Sequence, residues 1–159
     1  MAASLAILST AFAQERPFAT TVPVFLKVEW VRPDSQADTK VRYGEVQENI
    51  VDPNVEMKFY GPEARKVLTN GTPGSASAPY GIWTGEAQGP FAITFKLKNN
   101  YVDMTGLSTI RWFTRTSGFH VVRPVVKLAN GTLLVGDLAI ASVPQLTLSE
   151  FSLGNVRWI

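Results

Sequence analysis

The sequence predicts an all-β protein, an antiparallel β-sandwich or barrel. Three observations carry that prediction. Apolar residues recur with period two in segment after segment, and no stretch of ten or more residues shows a helical period. Gly, Pro or Asn bounds each alternating segment, giving roughly eight to ten short strands. With no helices to cover a parallel sheet, the strands must pair antiparallel.

The first residues carry a different pattern. Residues 5–13 read LAILSTAFA, an apolar run ending in the small-x-small triplet Ala11-Phe12-Ala13. That is the core and cleavage site of a secretory signal peptide over residues 1–13, cut before Gln14. No Lys or Arg precedes the run, so the basic amino-terminal region of such a signal is missing. The run is too short to span a membrane. The expectation is a secreted or periplasmic bacterial protein whose residues 14–159 form one domain.

Residues 22–31 (VPVFLKVEWV) place Val24, Leu26, Val28 and Trp30 on one side and Phe25, Lys27 and Glu29 on the other. This reads as a half-buried strand. A polar loop over residues 32–39 leads to a second strand at 40–47 and a third at 55–60. Residues 61–66 (GPEARK) fit one helical turn. Residues 69–81 (TNGTPGSASAPYG) are the most loop-like stretch and read as a long surface excursion. Further strands are expected at 92–97, 109–115 and 119–128. Ser117-Gly118 would turn residues 110–115 back onto 119–122. Asn130-Gly131 sits between VVKLA and TLLV, a hairpin signal with both residues at the positive φ angles of a type I′ turn. Residues 145–151 and 155–159 supply closing strands.

Composition excludes many mechanisms. The 159 residues contain no cysteine and one histidine, so thiol catalysis, disulfides, thiolate metal sites and multi-histidine sites are all ruled out. No phosphate-binding loop, dinucleotide fingerprint, HExxH motif, calcium loop or nucleophile elbow is present, and no cofactor or metal is implied. The formal net charge of +2 hides an asymmetry. Residues 14–86 carry 8 basic and 10 acidic side chains, whereas residues 87–159 carry 7 and 3. The carboxy-terminal half therefore suits acidic ligands such as uronic polysaccharides. Its basic residues are too dispersed for a nucleic-acid stripe.

The candidate ligand-binding residues are Tyr80, Trp83, Arg111, Trp112, Arg115, His120 and Arg123. Tyr80 and Trp83 lie beside a Gly-rich loop, where aromatic faces suit stacking on a flat ligand. On the strand at 109–115, Trp112 alternates with Ile110 and Thr114, while Arg111 alternates with Phe113 and Arg115. One face thus carries two guanidiniums, and across the Ser117-Gly118 turn His120 would neighbour Arg115. His120 is the only imidazole available for acid–base work; a core or rim role is the plainer alternative. A glycosidase would draw two carboxylates from Glu45, Glu48, Glu56, Glu86, Asp103 and Asp137, but nothing in the sequence pairs any of them.

The run IRWFTRTSGFHVVRPVVKLANGTLLVGD, residues 110–137, resembles the strand–turn–strand–hairpin pattern of galactose-binding-like jelly-roll domains of secreted bacterial proteins. The resemblance implies a jelly-roll-like sandwich that binds carbohydrate without catalysis; a lipocalin-like barrel is the architectural alternative. The leading expectation is a non-catalytic carbohydrate-binding domain. A structural domain forming a homo-oligomer or part of a larger extracellular protein is the second. A small glycan hydrolase or lyase is the third.

Overall fold

A computed structural model describes residues 24–118 and 120–159. The signal-like run at 1–13 lies outside them, as do Pro23 and Phe119. Eight strands form among the described residues: β1 Val55–Tyr60, β2 Leu68–Asn70, β3 Gly81–Trp83, β4 Ala92–Leu97, β5 Thr109–Thr116, β6 Val125–Lys127, β7 Leu133–Val135 and β8 Val143–Ser152. They pair antiparallel as β1–β4, β2–β3, β5–β8 and β6–β7. Helical structure among the described residues is confined to short 3₁₀ turns, one at Ala64–Lys66 where the sequence places a helical turn. The fold is all-β and antiparallel, in keeping with a β-sandwich. The described strands do not close into a barrel, which sets the lipocalin-like alternative aside.

The main core grows from β1 and β4. Val55 and Met57 project inward from β1 together with Ile50. Phe59, Ile93, Phe95 and Leu97 pack against them, and so do Leu26, Val28 and Trp30. Trp30 meets Phe95 edge-on, with ring centroids 5.9 Å apart, the geometry the ring quadrupoles favour. Residues 24–31 alternate in burial as their sequence does, except that Val24 is exposed. They do not form a full strand. Trp30 bridges Ile50, and the Val31 and Val51 amides donate to Asn49 and Glu29 carbonyls.

Three other expectations change. Residues 40–47 are not a regular strand. Asp38 caps the Lys40 amide, and Gln47–Asn49 turns into a 3₁₀ helix, leaving only 43–45 to run beside β2 through a Gly44–Leu68 bridge. The loop-like 69–81 stretch contains the ends of a hairpin: β2 pairs with β3, and Gly71, at φ +93°, starts the connection. The Asn130-Gly131 hairpin forms, but by a different turn. The Gly131 amide donates to the Leu128 carbonyl and Leu128 to Thr132, so Ala129 and Asn130 are the central residues. Gly131 alone is needed in the left-handed region, at φ +91°. An Asn130 side-chain oxygen then accepts from the Thr132 amide.

The largest departure concerns β5. Among the described residues it does not fold back onto 120–122; Val122 instead bridges Ile140. The partner of β5 is β8, with Arg111 opposite Glu150, Trp112 opposite Ser149 and Phe113 opposite Leu148. The ten-residue β8 offers a longer ladder than a four-residue return could, so non-local pairing displaces the local turn. The register shifts between Thr114 and Thr116, where the Thr116 hydroxyl donates to the Ala141 carbonyl and accepts from the Val143 amide. Residues 155–159 close against the end of β7: Val135 and Ile159 exchange both amide–carbonyl bonds.

Candidate functional site

Period two on β5 decides which side chains reach solvent. Ile110, Trp112, Thr114 and Thr116 turn inward, while Arg111, Phe113 and Arg115 turn outward. Trp112 packs on Phe151 with ring centroids 4.8 Å apart, and its indole N–H is buried without a hydrogen-bond partner. Phe113 stands 68% exposed between the two arginines, and its cross-strand neighbour Leu148 is 51% exposed. Arg111 pairs with Glu150 across the ladder. Residues two apart on a strand are separated by about 6.7 Å. The open face is thus an aromatic ring flanked by two guanidiniums, with an aliphatic and an acidic neighbour on β8.

The other candidates stand elsewhere. Tyr80 is 6% exposed. Its hydroxyl donates to Gln36 Oε1 at 2.8 Å and accepts from Asn49 Nδ2 at 3.0 Å, and Arg32 lies 4.9 Å above its ring. It is a core residue, because the chain needs a donor–acceptor at that depth to complete the Gln36–Asn49 pair. Trp83 is half-buried, with the Arg42 guanidinium 3.9 Å from its ring centre. A Cβ on Gly85 would fall 2.2 Å from the Trp83 ring, so the glycine backbone also lies close against the indole. His120 is exposed, and its Nδ1–H donates to the Ser117 carbonyl at 2.9 Å, which fixes the ring over its own turn. Arg123 donates to the Gly136 and Asp137 carbonyls. No hydrogen bond, ring contact or ion pair among the described residues joins Tyr80 and Trp83 to the β5 arginines, or His120 to Arg115.

The carboxylates are mostly occupied locally. Asp137 accepts the Arg157 amide, Asp103 the Thr105 amide, and Glu56 pairs with Lys58. Hydrogen bonds from Thr105, its backbone amide first, hold the Asp103 carboxyl below the usual range. No cluster of three acidic or histidine side chains able to hold a metal occurs among the described residues. Glu45 differs from the rest. Both its oxygens are buried without a hydrogen-bond partner, and burial pushes its carboxyl up to about 8.

Two residues carry more weight in the structure than the sequence assigns them. Phe113 shares the alternating row of Arg111 and Arg115, and it is this row, not the one holding Trp112, that faces solvent. Glu45 stands among the six candidate carboxylates, but nothing in the sequence signals its burial, which depends on contacts with distant residues. Compared with protein-family models, curated proteins and solved structures, the chain matches none of them.

Proposed function

We propose that this chain is a non-catalytic binding domain for acidic polysaccharide, with the outer face of the β5–β8 ribbon as its contact surface. The observation that carries the reading is Phe113, 68% exposed between Arg111 and Arg115 on one sheet face. A sugar ring offers an apolar face for the phenyl group, and a uronate carboxylate suits a charge-assisted bond from a guanidinium. The net positive carboxy-terminal half attracts such a polymer. The resemblance of residues 110–137 to galactose-binding-like domains agrees with it.

Affinity electrophoresis tests the reading, with polygalacturonate in the gel and neutral dextran as control. The expected result is retardation by polygalacturonate alone, weakened by salt and reduced about tenfold by Phe113→Ala. A tenfold loss corresponds to about 1.4 kcal/mol, within the range of one aromatic contact. No retardation by either polymer refutes the reading.

The second reading, self-assembly through the same ribbon, is favoured by Leu148 beside Phe113 and by the outer edges of β5 and β8, which have no strand partner among the described residues. It predicts an oligomer by light scattering that Leu148→Ser disperses. Export belongs to the proposal as well: the protein recovered outside the cytoplasm should begin at Gln14 when its amino terminus is sequenced. No helix among the described residues is long and apolar enough to cross a membrane.

A further inference from the structure

Away from the ribbon, Glu45 lines an open cavity of about 670 Å³ together with Gly44, Phe59, Pro62, Arg65 and Val67. Buried polar atoms nearly always find partners, so a carboxyl with two orphaned oxygens calls for a physical account. Its setting supplies one. Residues 43–45 run beside β2 through few bonds: the Thr69 amide donates to the Tyr43 carbonyl at 2.7 Å, the Tyr43 amide to the Thr69 hydroxyl at 3.3 Å, and the Glu45 amide to the Val67 carbonyl at 3.5 Å. An ionised carboxylate cannot rest there unpaired at low cost, whereas a neutral acid can.

We propose that Glu45 is a proton-operated latch. While it is the neutral acid, residues 43–45 stay docked beside β2; on losing its proton the carboxylate turns into the cavity towards the Arg65 guanidinium and the segment is released.

The surrounding charges single out Arg65. On its 3₁₀ turn, Lys66 is bound to Glu63 at 2.8 Å, and Glu63 also accepts the Gln88 amide. On β1, Lys58 pairs with Glu56, and the Tyr60 hydroxyl accepts from Lys127. Arg42, near Glu45 in the chain, is stacked on Trp83. Arg65 is exposed, lines the same cavity as Glu45 and has no ion-pair partner among the described residues. Among the described residues it is the one cation on these walls free to receive the carboxylate. The latch is independent of the polysaccharide reading, since it lies on the β2 side of the fold and not on the β5–β8 ribbon.

Amide hydrogen exchange from pH 6 to 9.5 tests it on the full chain. Protection at Glu45 and Thr69 is measured against the exchange rate of the unfolded chain at each pH, which removes the intrinsic base catalysis. The expected result is protection that falls as pH rises towards about 8, at most about tenfold per pH unit for one coupled proton, and then levels. Glu45→Gln, which keeps shape and cannot ionise, should show no fall, and the apolar Glu45→Met repeats the test if the amide disturbs packing. Arg65→Gln should move the fall to higher pH. Equal profiles in the wild type and both Glu45 variants would overturn the latch. An unmoved profile in Arg65→Gln would overturn the destination of the carboxylate.

Discussion

Replacing Tyr80 by Phe removes one oxygen from the most deeply buried polar network and leaves the ring. Asn49, at 0% exposed, is the hub of that network. Its side chain accepts the Val46 amide at 2.9 Å and donates to Gln36 Oε1 at 3.0 Å, Tyr80 at 3.0 Å and the Val31 carbonyl at 3.3 Å. Tyr80→Phe deletes two hydrogen bonds, each contributing about 0.5–1.5 kcal/mol net. Gln36 Oε1 keeps its bond from Asn49, and the Asn49 amide keeps its other acceptors, so no partner is fully orphaned. The expected loss is therefore about 2 kcal/mol, or roughly 4–8 °C in Tm for a chain of this size. Asn49→Ala additionally strands the Val46 amide and should cost about 3–5 kcal/mol. Urea denaturation followed by tryptophan fluorescence measures both. A Tyr80→Phe variant within about 0.5 kcal/mol of wild type would refute the network as a source of stability. It would also return Tyr80 to the list of side chains held for a ligand, since the phenyl ring alone suffices for stacking.

Four further outcomes are expected. Glu45 keeps its proton to about pH 8 in the folded chain but only to about 4.5 when unfolded, so wild-type stability falls as pH rises from about 4.5 to 8 and then levels. Discounted for partial exposure, the fall is about 2 kcal/mol, and urea titrations of Glu45→Gln should lack it. Glu150→Gln releases Arg111 from its ion pair and should strengthen polygalacturonate retardation several-fold, whereas weaker retardation would count against Arg111 as a contact. Gly71→Ala should cost about 3 kcal/mol or more, because a Cβ there falls 2.1 Å from the Pro79 carbonyl oxygen. Gly131→Ala, with a similar φ but open space around it, should cost only about 1 kcal/mol in the same urea assay.

What the sequence made legible was local. The β1 and β4 boundaries follow from alternation at 55–60 and 92–97, and Asn130-Gly131 marks its hairpin, because periodicity and turn chemistry act over a few residues. The mate of β5 was not legible. A Ser-Gly pair after Arg115 looks like a return turn, and only the competing ten-residue ladder with β8 shows otherwise. The face of β5 was correctly readable as two arginines in one row. Exposure was harder: Tyr80 beside a Gly-rich loop looks available, yet Gln36 and Asn49, more than thirty residues away, bury it. Long-range polar partners leave no periodic trace.

The connections between paired strands also order the events of folding. β6 and β7 are joined by residues 128–132 and β2 and β3 by 71–80, whereas β1 must wait for β4 across 61–91 and β5 for β8 across 117–142. Closing the longest of these loops costs about 1.5 kcal/mol more chain entropy than closing the shortest. The two small hairpins should therefore close first, and the two large ladders set the overall rate, in the slow range typical of non-local β topologies. The surface formed by Arg111, Phe113 and Arg115 comes into being only at that late step. Until then β5 is a solitary strand with a phenyl group on one side and a tryptophan on the other, and growth temperature and chain concentration will govern how much of the protein passes that stage without sticking to its neighbours.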